Sequence, residues 1–144
     1  MVLLLAAARM LSSHEWRAFF LAPLAAPAAA ALALRSDPQL GLTTVVAYIA
    51  AFVLGVPLFV VLRNRGHGLA TRCLAAGVVS GAIAGASLVY ASMRAFSASP
   101  FASDPHVAAE LVGYGALWGV GLGLAAGMAL LVLIRAAIPS RGSP

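Results

Sequence analysis

Four stretches of this chain, residues 18–34, 42–62, 73–93 and 111–134, contain no charged side chain, and each is flanked by an arginine or an acidic residue. A helix rises ~1.5 Å per residue, so about 20 residues cross the ~30 Å hydrocarbon core of a bilayer. A strand reading fails, because the runs show no two-residue alternation and every backbone amide in lipid must be satisfied internally. The sequence therefore predicts an all-α membrane protein: a four-transmembrane-helix bundle forming a single domain over residues 1–144.

Composition agrees. Hydrophobic residues make up 62% of the chain and charged ones 9%, against roughly 25% charged in soluble domains. The net charge of +5 would suggest a nucleic-acid partner in a soluble protein. Here the arginines stand singly beside apolar runs, with no basic stripe interleaved with aromatics, and no nucleic-acid partner is expected. All nine basic residues are arginine. Together with abundant alanine and glycine, this suggests a high-GC bacterial genome, and hence the bacterial inner membrane. Cys73 is the sole cysteine, which excludes an intrachain disulfide and a cysteine metal cage, and it reads as a small apolar packing residue.

The arginines also set the orientation. Arg9 and Arg17 precede the first run; Arg63, Arg65 and Arg72 lie between the second and third; Arg135 and Arg141 follow the fourth. The opposite loops hold Arg35 and Arg94 beside Asp37, Asp104 and Glu110. This asymmetry places both termini in the cytoplasm. The short connections 35–41 and 63–72 make the first three helices antiparallel neighbours.

The runs differ in character. The first is short and carries Pro23 and Pro27. With Met10 as an alternative start, Arg17 and the apolar, alanine-rich sequence after it resemble a signal peptide. Proline is tolerated in membrane helices, which favours an uncleaved, kinked span. Residues 1–11 are too short to span, and read as an interfacial helix or as sequence upstream of a start at Met10. The second run is apolar all round, as expected of a lipid-exposed helix, with a kink at Gly55 and Pro57. The third is dominated by Ala, Gly and Ser and is expected inside the bundle.

Glycines recur every four residues in the last two runs. Gly77, Gly81 and Gly85 form one row; Gly115, Gly119, Gly123 and Gly127 form the other, with Gly113 and Gly121 beside it. Residues four apart share a helical face, and a row of glycines lets another backbone approach closely. These seven are the expected helix-packing residues, in a glycine-zipper pattern. The rows meet each other within one chain, or meet between chains in a homo-oligomer.

Little else points to chemistry. The runs hold no intramembrane ionisable group of the kind that marks proton relays. Asp104-Pro105 reads as a helix N-cap followed by proline at the first helical position, with Glu110 near the favourable helix end. Thr44, Tyr48, Ser87, Tyr90, Tyr114 and Trp118 are placed near the outer face. They form either an aromatic belt or a candidate outward pocket for a lipid or small ligand. No catalytic residues, metal site or cofactor are expected, and enzyme activity is not. The expected partners are membrane lipids and either further copies of the chain or another membrane protein. The leading expectation is a small inner-membrane protein acting by helix–helix association, as a homo-oligomer or accessory subunit. The alternative is a small oligomeric channel or transporter for an uncharged or anionic solute.

Overall fold

The computed structural model describes residues 11–34, 40–95 and 104–137. Every element among them is helical. Residues 1–10, 35–39, 96–103 and 138–144 lie outside, and with them most of the N-terminal prefix and much of the connections between the first and second runs and between the third and fourth.

The first rod begins at α1 (Ser13–Leu21), continues through a 3-10 turn at Ala22–Leu24 and ends with α2 (Ala25–Leu34). Its start is a capping box: the Ser12 amide donates to Glu15 Oε2 at 2.8 Å, and Ser12 Oγ accepts from the Glu15 amide. Two of the donors a helix leaves without partners are thereby satisfied. The tightening at residues 22–24 follows from Pro23, which lacks an N–H and crowds the carbonyl four residues back. The Tyr48 hydroxyl donates to the Phe20 carbonyl at 2.7 Å beside this irregular turn.

The second rod joins α3 (Leu40–Ala50) to α4 (Val56–Asn64) through a π-helical turn at Ala51–Gly55. The irregularity expected at Gly55 and Pro57 thus takes the form of a widened turn just ahead of the proline. The rod ends in a Schellman arrangement. Gly66 takes a left-handed φ of 76°, its amide donates to the Arg63 carbonyl, and the His67 amide donates to that of Leu62.

The third and fourth rods are single helices, α5 (Leu69–Ala95) and α6 (Pro105–Ala137). Asp104 caps α6, its Oδ1 accepting from the His106 amide at 2.9 Å. Among the described residues, three helical stretches are long and apolar enough to cross a membrane: Thr44–Asn64, Leu69–Arg94 and Pro105–Ala137.

The rods pack in a ring in chain order, the first touching both the second and the fourth, and the α5–α6 interface is the most extensive. The main buried cluster lies at one end. Phe19 and Ala22 of the first rod, Val56, Phe59 and Val60 of α4, Cys73 and Ala76 of α5, and Leu130, Leu131 and Ile134 of α6 meet there. Phe19 and Phe59 contact edge to face at 5.3 Å.

Two expectations about individual runs are corrected. The second is not exposed all round: Val45, Ile49 and Val53 face outward, but Val56 and Phe59 are fully buried. The third is not wholly inside the bundle: Val79, Ile83 and Tyr90 are exposed, while Cys73, Ala76 and Ser80 are buried and the glycine row is closely packed. In lipid both sides of a helix are apolar, so hydropathy alone cannot separate the core face from the outer one.

Candidate functional site

Close packing of α5 against α6 fixes the geometry of everything beside it. A methyl group added to Gly77 would overlap the Gly123 carbonyl oxygen, one on Gly81 that of Gly119, and one on Gly85 that of Gly115. The relation is reciprocal, because methyls on Gly119 and Gly123 would overlap the carbonyls of Gly81 and Gly77. Gly115 faces Val89 and Gly85, and Gly127 faces Cys73 and Leu74. Backbone therefore lies on backbone along an antiparallel seam inside one chain. Gly113 and Gly121 point elsewhere, with nothing within 4 Å of an added methyl.

Above the packed end, the ring of rods encloses a cavity of about 260 Å³. All four rods contribute walls: Pro23, Ala26 and Ala30 from the first; Val46, Ala47, Ala50 and Ala51 from the second; Ser80, Gly81, Ala84, Gly85 and Leu88 from α5; Trp118, Gly119, Leu122, Gly123 and Ala126 from α6. The cavity exists because its walls are mostly alanine and glycine, too small to fill the space that larger residues fill below. Its one hydroxyl, on Ser80, donates back to carbonyls of its own helix, those of Ala76 and Gly77. A smaller void of about 30 Å³ lies under Ser80, bordered by Phe19, Pro23, Gly55 and Leu130.

A second space of about 330 Å³ runs along the bundle surface between the second rod and α5, lined by Ile49, Val53, Leu54, Ile83 and Ser87 among others. Val46, Ala50, Ala84 and Leu88 border both this groove and the cavity. The two spaces thus lie side by side, and Ala50 and Ala84 are on the wall they share.

The residues singled out for an outward pocket are placed as follows. Trp118 borders the cavity, half exposed, and Ser87 borders the surface groove. Tyr48 turns to the first rod, where it bonds the Phe20 carbonyl, and stacks on Phe52 of its own rod at 6.3 Å. The Tyr90 hydroxyl accepts from Arg94 Nε and Nη2 at 3.1 and 2.9 Å, and the guanidinium lies 5.4 Å from the ring centre. Tyr114 is 70% exposed, facing away from the cavity. Thr44 is half-buried on α3.

The packed end carries polar contacts that no local spacing announces. Arg63 Nη1 pairs with Glu15 Oε2 at 3.1 Å, tying α4 to α1. The Arg72 guanidinium sits 5.8 Å from the Phe59 ring centre. Trp16 and Phe20 meet Phe52 with ring centres 6.2 and 5.2 Å apart, extending an aromatic ladder between the first two rods. Among the described residues, no three His, Cys, Asp or Glu side chains come together as metal ligands.

Compared with known protein families, curated proteins and solved structures, the chain matches none. What can be argued about its role rests on this geometry.

Proposed function

We propose that the chain is a four-pass protein of the bacterial cytoplasmic membrane, with both termini inside. It acts without a catalytic step, by holding an apolar membrane component against the open half of its bundle. The observation that carries this reading is the cavity of about 260 Å³ walled by all four rods, beside an apolar groove on the bundle surface. Binding sites are typically concave and largely apolar, and bundles place them between helices.

The four-pass topology is supported by the first rod, helical from residue 13 to residue 34 apart from its tight turn. At ~1.5 Å per residue its uncharged part, residues 18–34, covers about 26 Å of the ~30 Å hydrocarbon core. The glycine faces are occupied within the chain. Association with further copies, or with another protein as its accessory subunit, therefore falls to the cavity and to the exposed apolar faces. The conduit reading gains less support, because Phe19, Val56, Phe59 and Cys73 close the bundle at one end.

Two measurements test the reading together. Cysteines introduced at Gly68 and Asp104 in a Cys73→Ser background should label from opposite sides of the membrane, and labelling from one side refutes the topology. Native mass spectrometry in nanodiscs should show the chain with a bound lipid, a second copy or a partner protein. A bare monomer across several lipid compositions refutes the association.

A further inference from the structure

The groove and the cavity together say what the held component is. Both are walled almost entirely by apolar side chains, which suits a hydrocarbon rather than a polar ligand. A single hydrocarbon chain is narrow enough to lie along the groove, and Ala50 and Ala84 are the small residues on the wall it shares with the cavity. The α5 wall of the groove then supplies a polar end. Ile83, Ser87, Tyr90 and Arg94 fall at four-, three- and four-residue steps and so share one face of α5. Ile83 and Ser87 line the groove, and Arg94 lies two turns beyond Ser87 toward the helix end. Its guanidinium is held over the Tyr90 ring and against the Tyr90 hydroxyl. Among the described residues no carboxylate pairs with it.

We infer that the groove between the second rod and α5 binds an anionic phospholipid. One acyl chain lies in the groove and passes between Ala50 and Ala84 into the cavity, and the phosphate lies on Arg94. The inference rests on the association reading and narrows it to a lipid. Arginine presents planar donors suited to phosphate. A tyrosine that fixes the guanidinium beforehand lowers the ordering cost of binding. The chemistry is complementary at both ends: an apolar slot bordered by alanine, and one cation at its mouth.

The test uses the full chain equilibrated in nanodiscs of equal phosphatidylglycerol and phosphatidylcholine, then released for native mass spectrometry. The expected result is one retained lipid per chain. Phosphatidylglycerol should be favoured roughly fivefold, the factor one arginine contributes near a headgroup surface. Arg94→Gln should bring that preference close to one while leaving a lipid bound. Ala84→Leu and Ala50→Leu, which narrow that passage from opposite walls, should each release the lipid. Tryptophan fluorescence reports whether each variant is folded, and two variants guard against one failing to fold. Equal retention of both lipids by the unmodified chain overturns the inference, as does a preference that survives Arg94→Gln. If the alanine variants instead displace a copurifying protein, the lipid is wrong and the association reading stands. If they change neither bound lipid nor bound protein, both fall.

Discussion

A single methyl group on Gly81 should weaken the whole bundle. Its Cβ would overlap the Gly119 carbonyl oxygen and stand 2.8 Å from Gly123 Cα, whereas ordinary contact begins near 3.4 Å. Neither neighbour is a side chain that can swing aside, so α5 and α6 must part by more than half an ångström. A gap of 0.5–1 Å forfeits about a quarter to a half of each dispersion well of ~0.1–0.2 kcal/mol. Over some tens of atom pairs in the seam the loss is about 1–3 kcal/mol, the usual range for overpacking. Gly121→Ala on α6 is the control. Nothing lies within 4 Å of its added methyl, so only helix propensity changes, a stabilisation of up to ~1 kcal/mol. Gly127→Ala should fall between them, its nearest obstacle being the Cys73 carbonyl at 2.8 Å. The assay is reversible unfolding by SDS in mild-detergent micelles, followed by tryptophan fluorescence. Gly81→Ala should unfold at a clearly lower SDS fraction than Gly121→Ala. Coincident transitions would refute the seam, because they would mean that the glycine rows do not meet inside the chain.

Other perturbations follow from the packed end and the rod contacts. Phe59→Ala removes a fully buried ring that meets Phe19 edge-on; it should cost about 3–5 kcal/mol in the same assay, and a loss below 1 kcal/mol would contradict the core. Tyr48→Phe deletes the hydrogen bond to the Phe20 carbonyl and should cost ~0.6 kcal/mol, the average for side-chain hydrogen bonds between membrane helices; no measurable loss in repeated titrations would deny the contact. A double-mutant cycle on Glu15→Gln and Arg63→Gln should give a coupling of about 0.2–1 kcal/mol that shrinks with added salt, because the Arg63 side chain is 43% exposed; a coupling unaffected by salt would place the pair elsewhere.

The helical class and the glycine spacing were legible because each depends on a local period. A row every four residues falls on one face wherever the helix sits. Which surface that face meets is not a local property, so the sequence allowed the rows to pack within the chain or between chains. The error on the second run has a related cause. Val53 and Val56 are chemically identical, yet one faces outward and the other is fully buried, and in lipid neither position demands a different residue. The third run misled in the opposite direction: its small residues mark close approach on one face, while Val79 and Ile83 occupy another. Glu15 and Arg63 lie 48 residues apart, so no spacing rule pairs them. The cavity is assembled from Ala26, Ala47, Ala50 and Ala84 on three different rods. Each alanine alone reads as an ordinary helix former.

The two halves of the ring differ in regularity, and the cavity lies where they meet. α5 and α6 are uninterrupted helices with backbone against backbone. The first and second rods are each broken once, by the 3-10 turn at Ala22–Leu24 and the π turn at Ala51–Gly55. Both breaks touch the cavity, through Pro23 and Ala51. A helix that has already exchanged regular hydrogen bonds for a tighter or wider turn loses fewer of them when it bends there. The glycine seam cannot yield without losing its fit. If a hydrocarbon chain passes between Ala50 and Ala84, widening that passage would fall to the second rod, pivoting near its π turn, while α5 holds Arg94 and the groove wall in place. The prolines would then give the bundle one movable side beside a rigid one, as entry of a hydrocarbon chain from the bilayer requires.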